Sequence, residues 1–151
     1  MKQLTLLLIL SVVGGVRPQS SVAFCDLLRN PAQYDGKEVR VRATYRYGFE
    51  WSQLYCIDCI DKGKAWLKFS DNLDEASQRS LRKLPKGAGI ANLTVQGVFS
   101  SVGTFGHSNG YRYQILASKI SDVSVIQKGM QAPEMEQKAE NRWACGGTNP
   151  K

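Results

Sequence analysis

The sequence predicts a mainly β chain in which five strands curl into a small barrel, and three observations carry this. The stretch Gly36 to Trp51, GKEVRVRATYRYGFEW, alternates strictly. Val39, Val41, Ala43, Tyr45 and Tyr47 fall on one face, and Glu38, Arg40, Arg42, Thr44 and Arg46 on the other. Period two with β-branched and aromatic residues is a long half-buried strand. Shorter runs of strand character recur at 54–57, 64–69, 91–99 and 111–120. Finally, a strong helical period interrupts them once, between the third strand and the fourth.

The chain has 151 residues and a formal net charge of +7. Residues 1–23 read as a secretory signal: Lys2, then an apolar run Leu4 to Val13 broken by Thr5 and Ser11, then small residues at Gly14, Gly15, Ser20, Ser21 and Ala23. The run is too short to anchor in a bilayer. Cleavage after Gly15 and after Ala23 both satisfy the small-residue rule. Phe24 is too bulky for a lipoprotein box, so no lipid is expected on Cys25. The rest is one domain-sized unit, 24–126, followed by a polar tail, 127–151, expected to be disordered. Without Lys2 and Arg17 the basic excess is +5, which suits an anionic partner as well as a solvated surface. The expected compartment is secreted or periplasmic.

Residues 22–30 read as a short amphipathic helix with Val22, Cys25 and Leu28 on one face, stopped by Pro31. Strand one follows at 37–47. The loop Gly48 to Gln53 exposes Phe49 and Trp51, and strand two takes 54–57. A turn from Asp58 to Gly63 carries the hairpin signal Asp61-Lys62-Gly63. Strand three, 64–69, places Ala65, Leu67 and Phe69 on one face and Lys64, Trp66 and Lys68 on the other. The period then changes: Leu73, Ala76, Ser77, Ser80, Leu81 and Leu84 share a helical face. Asn72 with Glu75 forms a capping-box pattern, and Pro85-Lys86-Gly87 ends the helix. Strand four, 91–99, turns Leu93, Val95, Gly97 and Phe99 one way. Ser100 to Gly110 is a glycine-rich loop. Strand five runs 111–120, with Val123 and Val125 as a candidate extension.

The order strand, strand, strand, helix, strand, strand resembles the OB-fold, a five-stranded Greek-key barrel. The run CDLLRNPAQYDGKEVRVRATY, then LYC–C, AWLKF, LTVQGVF and GYRYQI, looks like small secreted bacterial OB-like proteins of uncharacterised function, over roughly residues 24–125. The resemblance implies a ligand groove framed by the loop between strands one and two and the loop between strands four and five.

Four cysteines, Cys25, Cys56, Cys59 and Cys145, follow the leader. An even count in that context favours disulfides, with three possible connectivities. Cys56 and Cys59 form a CxxC that ends a strand rather than opening a helix, the wrong context for a thioredoxin-like site. In a strand they stand about 10 Å apart, beyond the roughly 7 Å a disulfide spans, so they pair only across a tight turn. An outside partner for one of them is favoured. The resemblance implies that this partner is Cys25, pairing with Cys59, with Cys56 and Cys145 free or joined to each other. Zinc would need ligands far apart in sequence, and no metal or cofactor is expected.

The single histidine, His107, has neither a nucleophile nor a carboxylate implied by spacing, and no nucleophile-elbow motif occurs. The expectation is therefore a binding module and not an enzyme. Its candidate ligand residues are Phe49 and Trp51 in the first loop, Phe105 and His107 in the other, and Arg42 and Arg46 on the outward face of strand one. Aromatic faces there can stack on bases or sugars. Arg40, Lys64 and Lys68 extend the basic surface. Tyr111 is assigned to the core. Candidate partners are an oligosaccharide, a peptide or a polyanion. The alternatives are a structural envelope component acting by protein contact and, third, a thiol–disulfide protein using Cys56 and Cys59.

Overall fold

The computed structural model describes residues 21–129 and Cys145. Most of the expected leader, and the tail from 130 apart from Cys145, lie outside the described residues. The chain is mainly β. Its elements are α1 (Phe24–Arg29), α2 (Pro31–Tyr34), β1 (Glu38–Tyr47), β2 (Ser52–Tyr55), β3 (Ala65–Phe69), α3 (Glu75–Leu81), β4 (Gly89–Ser100) and β5 (Tyr113–Lys128). Short 3₁₀ segments lie at Ile57–Lys62 and His107–Asn109.

The strands form one mixed sheet that closes on itself, in the order β1, β2, β3, β5, β4 and back to β1. All ten residues of β1 have partners on β4, from Glu38 opposite Val98 to Tyr47 opposite Gly89. Of the pairings among these five strands, β3 with β5 is the parallel one. The alternation read in β1 sets its burial: Val39, Val41, Ala43 and Tyr45 are buried inside the ring. Leu54, Leu67, Leu93, Val95, Phe99 and Ile115 meet them there. Each such apolar side chain removed from water contributes about 1.5–3 kcal/mol.

α1 packs onto this core. Phe24, Cys25, Leu27 and Leu28 are buried, so the expected Cys25 and Leu28 face the core together with Phe24 and Leu27, while Val22 lies before the helix and packs partly buried against the same core. Pro31 does not merely stop the pattern; it opens α2 at the first helical turn, where its missing N–H costs nothing. Two disulfides bind the ends of the chain to the ring, Cys25 to Cys59 and Cys56 to Cys145, with Cα separations of 5.7 and 6.1 Å. The CxxC stretch is therefore not the end of a strand. β2 stops at Tyr55, and the Cys59 N–H bonds back to the Cys56 carbonyl at 3.2 Å. The expected hairpin turn is this 3₁₀ segment, closed by Gly63 at φ +115°.

Three other boundaries differ from the sequence reading. α3 is capped by Asp74 rather than Asn72; its carboxylate accepts the Ser77 N–H at 2.7 Å. Ala76 is exposed, whereas Ser77 is buried and its hydroxyl accepts the Ile120 N–H of β5 at 2.8 Å. That bond fixes the helix on the sheet. β5 is one strand through Lys128, with Asp122 in a left-handed conformation beside a register shift. Gln127 and Lys128 thus belong to the sheet, not the tail, and Tyr111 and Arg112 belong to the preceding loop.

No helix among the described residues is long and apolar enough to cross a membrane. The two disulfides fit an oxidising compartment, extracellular or periplasmic.

Leu67→Ala removes a fully buried side chain and should cost about 2–5 kcal/mol in denaturant titration. Lys68→Ala, next along β3 and exposed, should change stability by less than about 0.5 kcal/mol. Equal losses would put the β3 pleat in the wrong phase.

The Ser77 hydroxyl first, and then the Ser77 N–H, hold the Asp74 carboxyl below its ordinary value of 3.8. A depressed carboxyl stabilises the fold above its unfolded value and loses that contribution as pH falls through the folded one. Urea melts should therefore separate Asp74→Ala from the parent at about pH 7, and the gap should narrow as pH falls below the ordinary carboxyl value of 3.8.

Candidate ligand-binding face

The outward side of the ring between β1, β2 and β3 carries one cross-strand row. Arg46 stands opposite Gln53, Gln53 opposite Trp66, and Trp66 beside Gln114 of β5. The β1–β2 loop, residues 48–51, closes with the Gly48 N–H on the Trp51 carbonyl at 2.9 Å. It folds Trp51 back, so that the Arg46 guanidinium lies 4.5 Å from the ring centre, a cation–π contact. Phe49 at the tip is 98% exposed.

The β4–β5 loop lies down on the same row. Phe105 and Tyr111 pair through two backbone hydrogen bonds of 2.8 and 3.1 Å. Gly106, at φ +72°, passes directly over Trp66; a Cβ there would come within 2.5 Å of the indole. Tyr111 packs on Trp66 with centroids 5.1 Å apart. Its hydroxyl donates to the Gln53 Oε1 at 2.8 Å. Burial raises the Tyr111 pKa, against the opposing pull of the Arg46 charge. Gln53 is an outward residue on a strand and yet only 5% exposed, because Tyr111 covers it. The two loops approach each other where His107 Nε2 lies 3.9 Å from Glu50 Oε1. Both side chains are over half exposed, so this contact adds little stability.

Of the expected site residues, Phe49, Trp51, His107 and Arg46 share this face. Phe105 belongs to the loop, but its ring packs near Gly103. Arg42 is not brought in. It pairs in register with Thr94 on β4, beyond the last β1–β2 pair at Thr44, about 13 Å along the strand from Arg46. There it faces Asp122, whose carboxyl is held low by the Thr94 hydroxyl first and by Arg42 and Arg40 after it. Tyr111 is half-buried outside the ring rather than in its core. Gln53 and Trp66 are additions that the sequence reading did not select. Trp66 left a signal, a large aromatic on the solvent side of β3 between Lys64 and Lys68; Gln53 left none.

Beside Gln53 and Tyr111 opens a cavity of about 510 Å³, walled also by Lys62, Lys64, Arg112 and Tyr113. The Lys64 ammonium lies 5.5 Å from the Tyr55 ring centre. Elsewhere, Cys25, Cys56 and Cys59 bring their sulfurs within 4.8 Å of one another. All three are oxidised in disulfides, and a metal takes the thiolate. The face thus offers stacking surfaces, cations and amide groups, which bind and orient.

No family model, curated protein or solved structure matches this chain.

Gly106→Ala must move the loop, since the new methyl meets Trp66 and the backbone is left-handed. We expect a loss of about 1–3 kcal/mol in stability, together with a red shift of Trp66 emission. An unchanged melt and spectrum would mean the loop does not rest on Trp66.

Proposed function

We propose that the chain is an exported OB-like module that binds a ligand on the face framed by its β1–β2 and β4–β5 loops. The connectivity supports the OB-like reading. β4, reached through α3, returns to lie beside β1, so that β4-β1-β2-β3 stand in Greek-key order, and β5 closes the ring. The observation that carries the binding reading is the seat of Tyr111 on Gln53. It holds the second loop over a row of Arg46, Gln53 and Trp66, and so builds a fixed aromatic and cationic wall beside a small-molecule-sized cavity.

The competing readings have less support. An envelope component docking through a sheet edge would need a free strand, whereas the five strands pair in a closed order. A thiol–disulfide role would need Cys56 bonded to Cys59, or a reactive thiolate; each is buried and bonded elsewhere. Export is supported by the leader-like composition of the first residues and by the two disulfides.

Phe49→Ala with Trp51→Ala should weaken ligand binding at least about tenfold, the share expected of central aromatic contacts. The unfolding midpoint should move little, because Phe49 is exposed and Trp51 only partly covered. A large fall in the midpoint would make these rings structural instead.

The site of leader removal follows from the start of the chain. The Val22 N–H bonds the Arg40 carbonyl at 2.8 Å, and the Phe24 N–H bonds the Cys145 carbonyl at 3.0 Å. Cleavage after Ala23 would discard the first bond and leave a charged terminus on a fully buried residue. N-terminal sequencing of exported protein should therefore begin at or before Ser21, as cleavage after Gly15 would give. A mature chain beginning at Phe24 would overturn this.

A further inference from the structure

The cavity beside Tyr111 has a chemistry of its own. Three cations, Lys62, Lys64 and Arg112, stand on its wall, and among the described residues no carboxylate lines it. Asp61 pairs with Lys62 at 3.1 Å, but this pair is more than half exposed. Gln53 spends its carbonyl oxygen on Tyr111; its amide nitrogen has no acceptor among the described residues. An N–H₂ donor of a residue otherwise 5% exposed thus reaches the solvent of the cavity, free to donate to a ligand. Tyr111, steadied by Trp66, presents one aromatic surface.

We propose that this cavity is the anchoring subsite of the binding face and takes a sugar ring bearing a single negative group, a carboxylate or a sulfate. The proposal rests on the binding reading above and names its ligand class. The sugar lies against Tyr111, a hydroxyl or ring oxygen accepts from Gln53, and the anionic group meets Lys62, Lys64 and Arg112. Charge-assisted hydrogen bonds to such groups are the strong ones. The size of about 510 Å³ suits a short oligosaccharide end. An extended peptide would need an unpaired strand to add to, and the ring offers none among its five strands. A single-stranded polynucleotide would need successive stacking platforms along a groove, whereas of the two tyrosines on this cavity Tyr113 is only 5% exposed and stacks on Phe99 of the core, which leaves the face of Tyr111.

The test is calorimetric titration of the mature, oxidised chain with four probes. These are trigalacturonic acid, a sulfated trisaccharide, a neutral trisaccharide and a short oligothymidylate. At least one acidic sugar should bind about tenfold or more tightly than the neutral one, with affinity falling as salt rises. The stronger of the two acidic probes decides between carboxylate and sulfate. The double variant Lys62→Ala, Arg112→Ala alters exposed side chains, so its melt should stay near the parent's while the acidic preference collapses to within about threefold. Equal binding of acidic and neutral sugars, or a preference that survives the double variant, overturns the anionic subsite. If sugar binding then still depends on Phe49 and Trp51, the binding face stands without it. Tighter binding of the oligothymidylate transfers the site to nucleic acid and overturns the sugar assignment. No binding of any probe, or binding indifferent to both sets of substitutions, overturns the subsite and the binding face together.

Discussion

A sheet of five strands closes into a ring only if its longest strands bend, and here the bending is concentrated where β4 meets β5. The pairing shifts register between Ile90 and Ala91, between Asn92 and Thr94, and between Gln96 and Gly97. Bulges of this kind add twist and turn a strand through a corner. At the last of them Gly97 lies so close to β5 that any side chain would collide with the Leu116 carbonyl oxygen and come within 2.8 Å of the Ala117 Cα. The bend lets β4 pair with β1 over the whole length of β1 while keeping β5 on its other side. Without that closure the outward row of Arg46, Gln53 and Trp66 would not be a continuous wall, and the β4–β5 loop would have nothing to lie on.

The interior of so small a ring is filled by few side chains, and α1 supplies what the strands cannot. Phe24 and Leu27 are wholly buried against them. Cys25 ties that helix to the 3₁₀ segment after β2, and Cys56, three residues before Cys59, takes Cys145. Both ends of the described chain are thus fastened at one place. By the chain-entropy estimate, loops of separations 34 and 89 contribute about 4 and about 4.6 kcal/mol. These are large terms beside the usual 5–15 kcal/mol of net stability.

What could be read from the sequence was what local chemistry decides. The alternation from Val39 to Tyr45 follows from one face meeting the core, so the pattern and the burial agree. The α3 cap was less legible, because Asn72 and Asp74 are both capping residues and only tertiary placement chooses between them. β5 ran longer than its apolar pattern because Asp122 adopts a left-handed conformation and disturbs the period while the pairing resumes beyond it. The site shows the same division. Trp66 could be suspected as an exposed ring on a strand. Gln53 could not, since its burial comes from a loop that joins the sheet some sixty residues later, through the Tyr111 hydrogen bond at a separation of 58. Arg42 was legible as outward but not as distant, because β2 stops pairing at Tyr55, where the chain enters the 3₁₀ segment, and nothing in the alternation of β1 marks that point.

The two disulfides also overlap along the chain, since Cys56 lies inside the loop closed by Cys25 and Cys59, and Cys59 inside the loop closed by Cys56 and Cys145. Every peptide bond between residues 25 and 145 therefore sits within at least one covalent circuit. A protease that severs the backbone once anywhere in that interval releases no fragment, and both halves of the sheet stay at high effective concentration for re-pairing. Damage of this kind becomes visible only on reduction. The linkage converts a single scission from loss of the molecule into a nick that the fold can survive.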